Sequence, residues 1–194
     1  LDVSVTYCTA RISGADNRAG QREQQVVLNA LQASGSIGRF GFGNFVTRVS
    51  SSPLATADAK GRPVLATSKP PVLVKDSHGA DVPKARFVAS VARREEKGTD
   101  VNVAAHLLID VLTTNVDAAV VVCNDSDLAL PIRYARGIVP VGVVNPSPSY
   151  RAGRLGGNSS DGVGGHWRYQ LTHSDYRSHQ LPPVIGSYHK PQPW

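Results

Sequence analysis

The feature that most limits what this chain can fold into is an apolar run, Ala118-Ala119-Val120-Val121-Val122-Cys123, that stops abruptly at Asn124-Asp125-Ser126-Asp127. Short apolar runs rich in β-branched residues form strands, and one without polar alternation reads as a central strand covered on both faces. In open α/β sheets, ligands collect beyond the carboxyl ends of such strands. The run therefore predicts a buried strand over 118–123 and puts Asp125 and Asp127 where chemistry is done. A helical pattern precedes it. Val101, Ala104, Ala105, Leu107, Leu108, Val111 and Leu112 make a wide apolar surface over Asp100 to Thr113, with Thr99 or Asp100 as N-cap. Val139 to Val144 reads as the next strand.

Earlier in the chain, Asp2 to Thr9 has strand character, Gln21 to Ala33 is an amphipathic helix stopped by Ser34-Gly35, and Arg39 to Val49 is a strand interrupted by Gly41 and Gly43. Two strands around one helix predict a parallel βαβ unit. Ser50 to Lys69 reads as an excursion with one arm at Pro63 to Thr67. Val72–Lys75 and Arg86–Val91 read as a hairpin around Asp76 to Asp81, its second arm ending near Ala92 before the charged run Arg93 to Lys97. Asp127 to Arg136 is a short helix ended by Gly137. Beyond Asn145, Arg151 to His166 is Gly- and Arg-rich loop, Trp167 to Leu171 an apolar strand or patch, and Thr172 to Leu181 a helix opened by a capping box. Pro182-Pro183 ends that helix, and His189 to Trp194 is expected to fray.

The expected fold class is an α/β sandwich with a mainly parallel central sheet. Its domain covers residues 1–146, with the excursion and hairpin at about 50–92. A C-terminal extension over 147–194 packs on it. At 194 residues with 41% hydrophobic and 19% charged residues, the chain is long enough for a sizeable core, and wholesale disorder is excluded. The net charge of +6 favours polyanionic partners, although the basic residues are dispersed. Cys8 and Cys123 lie in strand-like runs and are expected as buried reduced thiols, which suits a cytoplasmic protein; a disulfide between them stays open. No apolar run reaches the roughly 18–20 residues of a membrane span, and no membrane partner is expected. The chain has no methionine, so Leu1 is read as a processed end, a rare start or the cut edge of something longer.

Asp100, Asp125 and Asp127 all fall at element ends and can face one crevice. Carboxylates held together repel, and a hard cation such as Mg²⁺ or Mn²⁺ relieves that repulsion with oxygen ligands already in place. Taken singly, Asp100 and Asp127 read as N-caps and Asp125 as a loop residue; the Asn-Asp-Ser-Asp cluster taken with Asp100 reads as a site. The six histidines show no metal-binding spacing, and the Gly-rich stretches at 153–157 and 162–165 neither follow a strand nor open a helix. Arg151, Arg154, His166, Trp167, Arg168 and Tyr169 mix charge with aromatic faces. They suit either a grip on single-stranded RNA or a tail folded back on the core.

E-E-K-G-T-D-V opening a helix, followed by A-A-V-V-V-C-N-D-S-D-L-A-L-P, resembles the NYN family of PIN-like nucleases (the LabA/DUF88 branch). The resemblance covers roughly Leu1 to Asn145. It implies a three-layer PIN-like sandwich and a metal-dependent endoribonuclease using Mg²⁺ or Mn²⁺. Asp100, Asp125 and Asp127 would be catalytic metal ligands, Lys97 a phosphate contact, and Asn124 and Ser126 the residues that shape the substrate loop. Glu96 would be an outer-shell acid or part of a solvated charge run. The implied partner is RNA, and a homodimer is left open. The family opens with a strand ending in Asp, often D-x-x-N, that supplies a further ligand. Asp2-Val3-Ser4-Val5 aligns instead with the family's second strand, and Asp16-Asn17 lies on the wrong side to substitute. The alternative is therefore an inactive or weakened RNA-binding or interaction module. A sugar-nucleotide transferase using Asp-Ser-Asp for a metal–nucleotide complex is a distant third.

Overall fold

The computed structural model describes residues 2–70, 72–148 and 150–191. In chain order its elements are β1 (Thr6–Arg11), α1 (Arg18–Ala33), β2 (Arg39–Pro53), β3 (Ala55–Ala57), β4 (Pro63–Leu65), β5 (Val88–Lys97) and α2 (Thr99–Leu112). There follow β6 (Ala119–Val122), α3 (Ala129–Arg136), β7 (Val141–Asn145), β8 (Trp167–Gln170), α4 (His173–Ser178), β9 (Val184–Ile185) and β10 (Tyr188–His189). The class is mixed α/β. The chain divides into two compact units, residues 1–45 with 96–194, and residues 46–95. The C-terminal extension belongs to the first. No helix among the described residues is long and apolar enough to cross a membrane.

In the first unit, β1 and β2 pair in parallel, Cys8 opposite Gly41, and α1 connects them. The Asn17 side chain caps α1 by accepting from the Gly20 N–H, and Gln24 fastens the helix to the end of β1. Its Oε1 accepts from Ile12 N–H (2.9 Å) and its Nε2 donates to the Ala10 carbonyl (2.7 Å). The glycines at 41 and 43 do not interrupt β2. A Cβ on Gly43 would stand 2.4 Å from the Lys97 carbonyl oxygen, so the missing side chain is what lets the end of β5 come close. Both cysteines are free and only half-buried.

The second sheet, β6–β7–β8, is parallel throughout, with Val121 opposite Val143 and Val143 opposite Arg168. Here the expectation for the strand at 118–123 needs correction. Every residue of β7 is buried, whereas Val120 and Val122 of β6 are 57% and 61% exposed. β7 takes the centre and β6 an edge, so one side of β6 lacks the cover that its uniform apolarity suggested. The core lies beside β7, where Val111 of α2, Ile132 and Ala135 of α3, Val121, Val141 and Val143 close on one another.

The Gly- and Arg-rich segment after Asn145 is drawn onto this core. His166 is buried; its Nδ1 accepts from the Val141 N–H (3.0 Å), which leaves the proton on Nε2 to donate to the Asp161 carbonyl. The buried guanidinium of Arg136 donates to the Gly156 carbonyl (2.8 Å). Gly162 has φ +56 and a Cβ there would lie 2.2 Å from the Arg136 carbonyl oxygen, so no other residue fits without moving backbone. Thr172 and Asp175 form the expected capping box, though α4 stops at Ser178 rather than reaching Leu181. His189 lies in the β9–β10 pair and not in a frayed end; of the tail, Gln192, Pro193 and Trp194 lie outside the described residues, as does Leu1.

The second unit holds the outer parts of β2 and β5 and an antiparallel β3–β4 hairpin, Ala55 opposite Leu65. Asp58 closes its turn by accepting from the Lys60 and Arg62 N–H groups (2.8 Å each). The hairpin expected between Val72–Lys75 and Arg86–Val91 does not form. Arg86 bridges Thr67, the 72–82 stretch closes on itself through Lys75 opposite Asp81, and β5 pairs with β2. The charged run Arg93 to Lys97 is the continuation of β5, with Arg93, Arg94, Glu96 and Lys97 exposed as a solvated run would be.

Candidate functional site

Two turns bring acids together, and each is built differently. The first follows β6. The Cys123 N–H still donates to Val144 (3.0 Å), and then the chain turns away from the sheet. Asn124 clamps that departure: its Nδ2 donates to the Tyr150 carbonyl (3.0 Å) and its Oδ1 accepts from the Ala152 N–H (2.9 Å). A 3-10 turn over Ser126–Leu128 follows. Asp125 caps it, Oδ1 accepting from the Asp127 N–H (2.9 Å), while buried Leu128 anchors its far end. Asp125 and Asp127 are thereby held on one short exposed turn.

The second turn joins β5 to α2. Gly98, at φ +88, is the residue before the helix and supplies no side-chain cap, so neither Thr99 nor Asp100 is the N-cap expected for them. Thr99 instead sits in the first turn and its hydroxyl donates to the Glu96 carboxylate. Asp100 follows, exposed, with no capping duty. The plainer reading of Asp100 and Asp127 as caps thus fails, and Asp125, read as a loop residue, is the one that caps.

Electrostatics show that the two turns face each other. The Asp100 carboxyl is raised above the ordinary carboxylate value by partial desolvation first, then by the charges of Asp125, Glu96 and Asp127. A carboxylate in the first turn of a helix is ordinarily stabilised by the helix dipole, by about 0.3–1 kcal/mol. For Asp100 the causes of the rise are desolvation and like charge, the latter from carboxylates on both turns. The Cys123 thiol senses the same field. Burial pushes it up, the Asp125 N–H opposes this, and the charges of Asp125 and Asp100 add to the rise.

The donor set fits a hard divalent cation in kind: exposed carboxylate oxygens, mutually repelling, at the carboxyl end of a parallel strand. The acids are coupled but not closed up. Among the described residues, no three His, Cys, Asp or Glu side chains are grouped as a ready ligand set. The remaining residues singled out by sequence fall around this site. Lys97 is exposed and ends β5 just before the Gly98 turn. The Ser126 carbonyl accepts from Ala129 N–H, and the Asn124 amide is committed to the backbone of residues 150 and 152. Asn124 therefore shapes the loop through its two bonds to that backbone. Glu96 belongs with the three aspartates, and Cys123 adjoins them. Cys123 carried no signal beyond closing an apolar run.

No protein-family model matches the chain, and no solved structure matches it. Over 107 residues it is 35% identical to 6-hydroxy-3-succinoylpyridine 3-monooxygenase HspA of Pseudomonas putida (strain DSM 28022 / S16), a similarity covering 52% of this chain and 33% of that protein. The chain thus spans about a third of the length of the curated relative it matches.

Proposed function

We propose that this chain is a PIN-like protein of the NYN kind, a cytoplasmic metal-dependent endoribonuclease whose site is Asp100, Asp125 and Asp127 with Glu96 beside them. The observation that carries the reading is the coupling of acids from two separate turns, expressed in the raised Asp100 carboxyl. The parallel βαβ unit of β1, α1 and β2, and the parallel β6–β7–β8 sheet, are what a three-layer PIN-like sandwich would contain. Asp100, Asp125 and Asp127 would hold Mg²⁺ or Mn²⁺, which when bound supplies charge stabilisation on a scissile phosphate and lowers the pKa of an attacking water. The chain's own residues set the stage for that. Asp125 and Asp127 are fixed relative to each other by one hydrogen bond, and Asn124 holds the floor of the site against the extension. Lys97, next to the Gly98 turn, would be the phosphate contact.

A second reading, RNA binding without cleavage, draws on the capping role of Asp125, since that hydrogen bond gives the residue a structural reason to be there. The monooxygenase similarity covers too little of that protein to bring its activity or substrate here. One experiment separates the readings. Labelled single-stranded RNA is incubated with the protein in Mn²⁺, in Mg²⁺ and in EDTA, alongside Asp125→Asn. Asparagine caps as well as aspartate does, so the turn is kept while the charge is lost. The nuclease reading expects cleavage in metal only, falling by about 10²-fold or more in the variant. Cleavage that persists in EDTA and in Asp125→Asn would contradict it, and RNA binding without turnover in any metal would favour the second reading.

A further inference from the structure

The extension builds a cleft beside the acids that the proposed cleavage does not use. It opens at the carboxyl ends of β6, β7 and β8, and its lining includes Cys123, Asn124, Asn145, Arg151, Arg168 and Tyr169. Two of these are cations. Arg151 donates through Nε to the Gln170 side-chain oxygen, and the Gln170 amide in turn donates to the carbonyls of Ser147 (3.1 Å) and Pro148 (2.8 Å). Its guanidinium is therefore held at the cleft. Arg168 comes from β8, its Nη2 only 3.0 Å from where a Cβ on Gly156 would stand. Behind it lies Arg136, whose pKa is lowered by burial and then by the charge of Arg168. Among the described residues neither Arg151 nor Arg168 makes an ion pair.

Exposed guanidinium groups directed at one cleft, with no carboxylate paired to either and a third cation behind them that Asp161 partly offsets, are suited to an anion. The planar fork of arginine matches phosphate oxygens in particular. The location narrows the class. Asn124 lines the cleft and is followed directly by Asp125, so an anion held here adjoins the acids. Aromatic faces adjoin it as well. Tyr169 is 48% exposed, with its hydroxyl tied to Asp175 (3.0 Å), and Tyr150 is 66% exposed. Cationic groups with exposed rings between them are the composition of single-strand binding surfaces, where phosphates are gripped and bases stack.

We propose that Arg151 and Arg168 form a phosphate-binding cleft that holds the backbone of single-stranded RNA beside the acids, with Tyr169 stacking on a base. The assignment of the bound RNA as a substrate rests on the nuclease reading; the binding itself does not.

The test is fluorescence anisotropy of a short labelled single-stranded RNA in EDTA, over a range of salt, for the wild type and for the double variant Arg151→Gln/Arg168→Gln. Loss of two phosphate contacts is expected to reduce the slope of log affinity against log salt by about 1.4, at about 0.7 per contact for single strands, with a weakening of at least about tenfold at low salt. Inorganic phosphate and adenosine 5′-monophosphate serve as competitors. Displacement of RNA by millimolar amounts of either supports phosphate as the recognised group, whereas binding of inorganic phosphate without binding of RNA overturns the RNA assignment. Unchanged affinity and slope in the double variant overturns the cleft. Should the double variant fail to fold, Arg151→Gln alone, exposed and tied to Gln170, must show about half the change in slope. The two readings fail separately. Wild type that never cleaves, yet binds RNA through the arginines, removes the nuclease and keeps the cleft; wild type that cleaves, with the double variant cleaving and binding alike, does the reverse.

Discussion

Around β7 the interior is closed. Val141 and Ile132 are almost wholly buried, Ala135 completely so, and His166 and Arg136 stitch the following loop onto the same core through buried hydrogen bonds. Along β1 and β2 the interior is thin. Ala10 and Leu28 are buried there, but Val5, Tyr7 and Phe42 stay about two-fifths exposed. Both sheets contain parallel strands and both lie under α2, so strand type does not explain the contrast. The covering does: α3 and the folded extension pack the β6–β7–β8 side. The candidate site draws on both kinds of support. Asp125 and Asp127 ride on a turn anchored by buried Leu128, while Glu96 lies at the end of β5 and Asp100 at the start of α2, where Val101 is 69% exposed. One half of the site is held firmly and the other lightly.

The largest expected effect that tests this contrast is Ile132→Ala. It should lower stability by about 2–5 kcal/mol in urea denaturation with an unchanged m-value, because the cavity it leaves is ringed by β7 and α3. A loss below 1 kcal/mol would mean the core is not where it is placed. Next is Asn124→Ala, which unpairs the Ala152 N–H and removes one of the two donors to the Tyr150 carbonyl, leaving Asn145 Nδ2 as the other. About 1–3 kcal/mol should be lost, and backbone amides of 150–152 should exchange faster. Val5→Ala, on the thin side, should change stability by no more than about 0.5 kcal/mol. A cost comparable to that of Ile132→Ala would erase the difference between the sheets.

The smallest effect has the most informative sign. Because Asp100 has a raised carboxyl in the folded protein, the folded state binds more protons than the unfolded one in the window just above the ordinary aspartate value. The contribution of Asp100 is therefore most favourable below its unfolded pKa and is lost as pH rises through the folded value. Asp100→Asn should accordingly leave stability at neutral pH unchanged or higher by up to about 0.5 kcal/mol, and should remove that part of the acid-limb dependence. Destabilisation at neutral pH by more than 1 kcal/mol would show that Asp100 is a structural acid rather than one strained by like charge.

Much of the scaffold was readable from local pattern. α1 has one apolar face and a clear polar start and stop, and the capping box at Thr172 is a short-range device that needs no tertiary partner. Failures came where the deciding fact is long-range. Five charged residues, Arg93 to Lys97, offer no alternation of polar and apolar, and only pairing with β2 makes them strand. The runs at 118–123 and 139–144 are equally apolar, so nothing local shows that the second is central and the first an edge. At the site, the turn after β6 is legible because an apolar run ends at consecutive polar residues. That Glu96 joins Asp100 was not, since it depends on β5 continuing to the Gly98 turn. Arg151 to His166 reads as loop, and the buried residues that fasten it to the core, Arg136 of α3 and His166, are types seldom found fully buried.

The central claim is that acids from two turns share one site. The direct measurement is the carboxyl pKa of Asp100 by carbon-detected NMR titration, in the wild type and in Asp125→Asn and Asp127→Asn. The account predicts a value above the ordinary aspartate range that falls in each variant, with the larger fall in Asp125→Asn, the greater of those two contributions. An ordinary Asp100 pKa, unmoved by either substitution, would contradict it.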